Sequence, residues 1–357
     1  MEHLILAINP GSTSTKVALY KNENEIFNES ITHPQEEIEK ADGVLEQIPV
    51  RRAAVLDSLE KHGYSPRDLC CVIGRGGLLP PVETGGYRVN QKMLDMVYNN
   101  ELSPHASNLA CVLADEIAKM AGVEAYIYDA GTANEFPPFA MITGMKEVTR
   151  KSVYHVLNAR AAAIKYARSR GKSHEEMNMI VAHLGGGITM GAHKKGRIVE
   201  SLADDNGPFA PERAGSVPLM DVIELCYSGK FTKKEMIKKV RGLGGLRDLL
   251  GTSDGRAIAK MVDDGDEYAA LVMQAQAYQI AKGIALVSPP LMGDIDAIII
   301  TGGLAYNQSL VNDVKQYVAH MAADFVVMPG ELEMEALAFG ALRILRKQED
   351  AKVFSKK

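Results

Sequence analysis

Residues 4–20 read Leu-Ile-Leu-Ala-Ile-Asn-Pro-Gly-Ser-Thr-Ser-Thr-Lys-Val-Ala-Leu-Tyr. The apolar run over 4–8 predicts a strand, 9–15 a tight polar loop, and 16–20 a returning strand. Gly11 lets the backbone approach a ligand, because no Cβ stands in the way. The loop's amide N–H groups and the hydroxyls of Ser12, Thr13, Ser14 and Thr15 are donors for anionic oxygens, and Lys16 adds a full positive charge at the edge. A strand–loop–strand phosphate cradle of this kind differs from the strand–loop–helix P-loop, whose glycine spacing is absent here. Alone, the loop reads equally as a hairpin turn of small polar residues. The rest of the chain decides between the two.

The pattern returns in the second half. Residues 179–182 predict a strand, His183-Leu184-Gly185-Gly186-Gly187 follows, and 188–192 predict another strand. A third glycine element, Thr301-Gly302-Gly303, ends an apolar run over 297–300. Apolar runs at 69–73 and 125–128 predict strands that end in Gly74-Arg75-Gly76-Gly77 and in Asp129. Helical periodicity covers 50–62, 108–120, 152–170 and 309–320. Strands alternating with helices predict an α/β fold with mixed sheets. Two strand–glycine loop–strand units point to a duplication. No Pro/Ser-rich linker marks a boundary, which is expected near 149–151, at the start of the long helix. The last helix, over 335–348, is expected to pack back on the first half. The expected domains are therefore 1–150 with 335–357, and 151–334.

A length of 357 residues suits two domains. Hydrophobic residues at 46% and charged residues at 24% are ordinary for a globular enzyme. A net charge of −5 argues against a dedicated nucleic-acid binder, since no basic surplus offsets phosphates. Cys70, Cys71, Cys111 and Cys226 show no Cys-x-x-Cys spacing, so neither a disulfide framework nor a zinc site is expected and a reducing cytoplasm fits. The chain enters Asn9-Pro10-Gly11 too early for a signal peptide, and no apolar run approaches the ~20 residues of a membrane span.

The segment Ile8-Asn9-Pro10-Gly11-Ser12-Thr13-Ser14-Thr15-Lys16 resembles the first signature of acetate and butyrate kinases. His183-Leu184-Gly185-Gly186-Gly187-Ile188-Thr189 resembles their second, and Thr301-Gly302-Gly303 the adenosine turn of the wider sugar kinase, heat-shock 70 and actin superfamily. The resemblance spans nearly the whole chain in order. It implies a duplicated ribonuclease-H-like (actin-like ATPase) fold with the active site in an interdomain cleft. Gly186 stands where acetate kinases usually carry Asn. The runs Gly207-Pro208-Phe209-Ala210-Pro211-Glu212-Arg213-Ala214-Gly215, Leu225-Cys226-Tyr227-Ser228-Gly229-Lys230 and Glu333-Met334-Glu335-Ala336-Leu337-Ala338 look like the butyrate kinase version. The segment from Tyr128 to Glu135 departs from that version, which tends to carry Asp-Pro and valines there. The departure bears on the acyl pocket rather than on the reaction.

Transfer of a γ-phosphoryl group to a carboxylate brings two anions together, so it needs alignment and cations. Arg75 and Arg213, each among small residues, are the candidates, since guanidinium forks match carboxylate and phosphate oxygens. Alone, either arginine reads as a surface ion pair; the resemblance favours the site. His105 and His155 correspond to active-site histidines of acetate kinases. His155 is expected to donate to the phosphoryl group in flight, His105 to orient Arg75 or the substrate, and His183 to shape the second loop. A general base is not needed, because the carboxylate is already ionised at neutral pH. The cofactors implied are ATP, as substrate, and Mg²⁺ bridging its β- and γ-phosphates through few protein ligands. Asp129 and Glu335 are the carboxylates expected to hold the metal. Asn9, Gly11, Ser12, Ser14, Lys16, His183, Gly185, Gly186, Gly187, Gly302 and Gly303 are expected to contact the nucleotide. In Gly251-Thr252-Ser253-Asp254-Gly255-Arg256, Asp254 is placed on the ribose and Arg256 against the adenine, although Asp254 reads equally as a helix cap. Pro104, Tyr154 and residues 78–81 are candidates for the acyl wall.

The expected reaction is butanoate + ATP ⇌ butanoyl phosphate + ADP, by direct in-line transfer. Branched-chain, propionate or acetate kinases are the near alternatives; a sugar kinase using Asp129 as base and an actin-like assembly ATPase are the distant ones. The partners expected are a short-chain carboxylate and further copies of the chain, with no nucleic acid and no membrane.

Overall fold

The computed structural model describes residues 2–34 and 43–355. Residues 1, 35–42, 356 and 357, all assigned to the expected first domain, lie outside the described residues. Strand β1 (Leu4–Pro10) runs antiparallel to β2 (Ser14–Lys21), with Asn9 opposite Lys16 and Pro10 opposite Thr15. Strand β3 (Asn24–Thr32) extends the meander; it is mostly exposed and polar, so its sequence carries no apolar run. Helix α1 (Ile48–Lys61) leads to β4 (Cys71–Arg75), parallel to β1. Strand β5 (Gly86–Arg88), α2 (Gln91–Tyr98) and α3 (Leu109–Ala121) precede β6 (Glu124–Tyr128), parallel to β4.

The second half repeats this plan. Helix α4 (Val156–Ser169) precedes an antiparallel meander of β7 (Asn178–Leu184), β8 (Ile188–Lys194) and β9 (Arg197–Leu202). Helices α5 (Leu219–Tyr227), α6 (Lys233–Val240), α7 (Leu246–Leu250), α8 (Gly255–Asp263) and α9 (Glu267–Val287) come next. Strand β10 (Ala297–Gly302) is parallel to β7, α10 (Gln308–Val318) follows, and β11 (Asp324–Pro329) is parallel to β10. Helix α11 (Glu333–Leu345) and β12 (Lys352–Val353), beside β5, close the described chain.

The sheet orders are β12-β5-β6-β4-β1-β2-β3 and β11-β10-β7-β8-β9. Each holds a three-strand antiparallel meander whose first strand is flanked by two parallel strands. That is the ribonuclease-H-like order, present twice, so the duplication read from the two loops extends to whole sheets.

The chain forms two compact units, Met1–Asn134 with Leu332–Lys357, and Glu135–Glu331. The first break falls at 134/135 rather than at 150/151, and the second at 331/332 rather than at 334/335. Residues 135–150 are tied into the second unit: the Glu135 carboxylate accepts the Ile198 N–H at 2.7 Å, and Arg150 pairs with Glu200 and donates to the Ser201 carbonyl at 3.0 Å.

In the first unit Leu6 and Ile8 face α1 and α3, packing in one cluster with Val55, Leu59, Val112, Leu113 and Ile117. The alternate residues Ile5 and Ala7 are equally buried and point to the other face. Helix α11 covers that face, with Leu337, Ala338 and Ala341 buried. In the second unit Ile180, Ala182 and Leu184 pack with Ile280 and Ile284 of α9 and Leu310 and Val314 of α10. Helix α4 packs on β7 and β10 through Ala159, Ala162 and Ala163. Helix α4 begins only at Val156, because His155 takes a non-helical ψ of 61°. Among the described residues, no helix is long and apolar enough to cross a membrane.

Candidate active site

The first loop closes the β1–β2 hairpin through a Gly11 N–H to Ser14 carbonyl bond of 2.7 Å, with Ser12 and Thr13 exposed at its tip. Asn9 ends β1 almost fully buried, and its side-chain amide donates to Glu333 Oε2 at 2.6 Å. The other oxygen, Glu333 Oε1, pairs with Arg75 Nη1 at 3.2 Å. Lys16 lies opposite Asn9 across the ladder, so both side chains leave the sheet on the same face. Asn9, Lys16, Arg75 and Glu333 thus share one end of the first sheet.

Glu333, missing from the sequence-based assignment, meets Asn9 and Arg75; Glu335, expected at the metal, lies two residues further along the helix. Two residues along a helix is a turn of about 200°, so only one of the two can face Asn9. Glu333 is in line with buried Leu337 and Ala341, four and eight residues on, and is only 6% exposed. Glu335 lies near Tyr20, whose phenol is pushed up by burial, by Glu25 and by the charge of Glu335. The helical phase of the apolar residues was the signal that separates the two.

Asp129 is at the end of β6 with a left-handed φ of 47°, and it is buried. Its carboxylate accepts the Gly85 N–H at 2.7 Å, and its own N–H donates to the Gly85 carbonyl at 3.2 Å. This reciprocal pair ties down the segment before β5. His105 Nδ1 accepts the Ser107 N–H at 3.2 Å and lies 2.7 Å from the Ser107 hydroxyl, which leaves the proton of the neutral ring on Nε2. Burial and then the Arg75 guanidinium lower the His105 pKa below the usual histidine range. Of the acyl-wall candidates in this unit, Leu79 is buried in the core and Pro104 is exposed beside His105.

In the second unit the β7–β8 hairpin is closed by the Gly185 N–H to Gly187 carbonyl bond of 3.2 Å. His183 Nδ1 accepts from Asn158 Nδ2 at 2.8 Å, which points Nε2 towards Gly185. A Cβ at position 185 would meet that nitrogen at 2.9 Å, so a larger residue there has to displace the His183 ring. His155 stacks on His183 with ring centroids 4.0 Å apart. The His155 N–H donates to Thr189 Oγ1 at 3.3 Å, and the same oxygen lies 2.8 Å from His155 Nδ1. In the tautomer in which the hydroxyl donates to Nδ1, the His155 proton sits on Nε2, a hydrogen-bond donor. Asn158 and Thr189 hold these two rings; Thr189 closes the second signature, whereas no sequence motif marked Asn158.

Arg213 reaches the second loop from the chain after β9. Its Nε donates to Asp204 Oδ2 at 2.9 Å, and Arg241 pairs with the other oxygen of Asp204. Asp204 and the aliphatic part of Arg213 lie beside Gly187, and the Glu212 N–H donates to the Gly186 carbonyl at 3.3 Å. Arg241 also pairs with Asp205 at 3.5 Å, so two guanidiniums and two carboxylates form one ion-pair network beside the loop; Arg241 was not expected from the sequence. Glu212 in turn accepts from Arg247 and Ser253 at 3.1 and 3.2 Å, joining this run to the segment before α8. Asp254 caps α8 by accepting the Arg256 N–H at 2.9 Å, and both side chains are exposed. Gly302, with a φ of +91°, exchanges both backbone hydrogen bonds with Gly330 at 3.0 Å, and Gly303 next to it faces open space. Tyr154 does not line an open wall: it is buried, its ring lies against Gly191, and its hydroxyl donates to the Val181 carbonyl at 3.1 Å.

Among the described residues, no group of three or more His, Cys, Asp or Glu side chains is placed to hold a metal. A cation delivered on a nucleotide's phosphates needs fewer protein ligands, and Glu333 fits that requirement as a buried, hydrogen-bonded carboxylate.

Two sheets of one order, each carrying a glycine hairpin lined by cations, define an actin-like ATPase fold. Solved structures share it: an acetate kinase from Porphyromonas gingivalis has a TM-score of 0.77 at 18% identity over 96% of this chain and 100% of that one. An acetate kinase from Entamoeba histolytica gives 0.75 at 13% over 98% and 99%, and a propionate kinase from Francisella tularensis subsp. tularensis 0.69 at 15% over 95% and 98%. At these identities the likeness is one of fold. The Acetokinase family model matches residues 145–334, just over half of the chain. The chain belongs to the acetokinase family, ATP-using phosphotransferases whose acceptor is a carboxyl group.

Proposed function

We propose that the protein is a short-chain fatty acid kinase acting on butanoate, forming butanoyl phosphate from ATP. The observation that carries the reading is the Asn9–Glu333–Arg75 cluster. It fixes a guanidinium at the strand end beside the first glycine loop, where an anionic acceptor needs a cation. An acceptor carboxylate oxygen attacks the γ-phosphorus, the bond to the bridging oxygen breaks, and ADP leaves with its electron pair. Arg75 holds the acceptor carboxylate, and Arg213 binds oxygens of the transferring group. The Nε2–H of His155 donates to the charge that develops on them. His183 and the first and second loops hold the phosphates; Gly302 and Gly303, with Asp254 and Arg256, serve the adenosine end. Bound magnesium would supply further positive charge at the phosphates, with Glu333 as the carboxylate that would hold it.

Butanoate rather than acetate is supported by Gly186 and by the runs 207–215, 225–230 and 333–338, which resemble the butyrate kinase version. A sugar kinase would need a free carboxylate base, and the Asp129 side chain is bonded to the Gly85 backbone. Helix α5 supports a homo-oligomer, because it buries none of its side chains and exposes Leu219, Met220 and Tyr227. Hydroxylamine trapping of acyl phosphate across the two- to five-carbon acids tests the reading. The four-carbon acid should give the highest kcat/KM. Since one methylene is worth about 1–3 kcal/mol, its neighbours should react more slowly rather than fail. A maximum at two or three carbons assigns an acetate or propionate kinase instead, and no hydroxamate with any of them overturns the reaction.

A further inference from the structure

Arg51 lies in α1 with no solvent exposure and makes six hydrogen bonds. Its Nη2 donates to the carbonyls of Gly11 (2.9 Å) and Ser12 (3.2 Å), and its Nη1 donates to the carbonyl of Ser14 (3.0 Å) and to Thr15 Oγ1 (2.8 Å). Gln47, one helical turn earlier, accepts from Nε at 3.1 Å and from Nη2 at 2.9 Å, which fixes the plane of the guanidinium. Among the described residues it makes no ion pair with a carboxylate, and an arginine stays charged even when burial works against it.

Thr15 and Lys16 are consecutive strand residues, so their side chains leave opposite faces of the sheet. Arg51 therefore grips the loop from the face opposite to Asn9 and Lys16 and has no access to a ligand on that side. A trans peptide sets its N–H opposite its C=O. Turning the carbonyls of Gly11 and Ser12 onto Arg51 thus turns the N–H groups of Ser12 and Thr13 away from it, at the exposed tip.

We propose that Arg51 is a positioning residue for nucleotide phosphate: it fixes the first loop with its amide donors outward and places a buried positive charge beneath them. This rests on the reading that the first loop binds phosphate. The ligand it serves is a polyphosphate, and the acceptor carboxylate lies outside its reach. Arg51 should therefore govern affinity for ATP and leave affinity for the acid alone.

The test compares wild type with Arg51→Lys, Arg51→Ala and the milder Gln47→Leu, well below each variant's Tm. ATP binding is read by calorimetry, and the KM values for ATP and acid by hydroxamate formation. Arg51→Ala should raise the ATP Kd on the order of 10–100-fold, with the acid KM changed less than about twofold. Arg51→Lys should fall in between, because lysine keeps the charge and loses the fork. Methylguanidinium, below denaturing concentration, should restore part of the ATP affinity of Arg51→Ala. Should the Arg51 variants fail to fold, Gln47→Leu decides, with an expected loss of a few-fold in ATP affinity alone. Folded variants with wild-type ATP affinity, or equal losses for ATP and acid, overturn the proposal. If wild type binds ATP yet forms no hydroxamate, the carboxylate-kinase reading fails and the ATP-binding comparison still decides the role of Arg51. If wild type does not bind ATP, both fall.

Discussion

Glu333 bonds Asn9 with one oxygen and Arg75 with the other, and it is nearly fully buried. Replacing it with Gln keeps the shape and the bond to Asn9 but removes the charge that holds Arg75. Glu333→Gln should lower kcat/KM for acyl phosphate formation roughly 100-fold, at least about tenfold more than Glu335→Gln. Hydroxamate rates for the two variants check this, and equal losses would return the role to Glu335. A second residue-scale consequence concerns acid. His193 is fully buried, bonded to His174 at 3.1 Å and to the Tyr154 hydroxyl at 3.2 Å. Burial, then His174 and Arg160, push its pKa well below the usual value of 6.5. The unfolded chain binds that proton more readily than the folded one. The stability contributed is therefore full above about pH 6.5 and is lost as pH falls towards the folded value. Urea midpoints measured from pH 8 to 5 should decline, and the decline should be shallower in His193→Gln. Equal slopes would place the acid sensitivity elsewhere.

The glycine hairpins were legible at the element scale because their signal is local: an apolar strand, small polar residues, and an apolar return. The third glycine element was legible as a motif, but its reason lies across the sheet. At Gly302 the φ is +91°, and a Cβ would meet the Leu184 carbonyl oxygen at 2.5 Å, while position 303 opens on free space. Gly302→Ala should cost about 2 kcal/mol or more of folding stability, and Gly303→Ala less than about 0.5 kcal/mol. Denaturant titration of both measures the difference, and equal costs would show that the close approach is relieved by a shift of β7. The edge strands β3 and β9 left little trace in the sequence. β3 alternates exposed polar residues with few buried ones, and propensity alone does not separate such a strand from a loop. The helix that follows each five-strand repeat shows a further regularity. Helix α11 sets Glu333 against Asn9 at the end of β1, and α4 sets Asn158 against His183 at the end of β7. In both sheets a polar residue from that helix fixes the residue two positions before the glycine loop.

At the scale of the whole molecule, the first unit is assembled from both ends of the chain. Helix α11 buries Met334, Leu337, Ala338 and Ala341 and supplies Glu333. A chain ending at Glu331 should leave one face of the first sheet bare. Limited proteolysis should then cut within residues 1–134 well before the second unit, whereas intact chain should be protected in both. Equal protection in the truncated chain would mean that the first unit folds without its returning helix. The sequence by itself determined the α/β class, the two glycine hairpins and their duplication, and the cationic residues near them, because each is written in a short window of residue types and periodicity. Only the tertiary structure decided that Glu333 and not Glu335 meets Asn9 and Arg75, that Asp129 is held by Gly85, that the first break falls at 134/135, and that Arg51 grips the first loop. Those partners lie tens to hundreds of residues apart, and helical phase and sheet register, which no local window contains, bring them together.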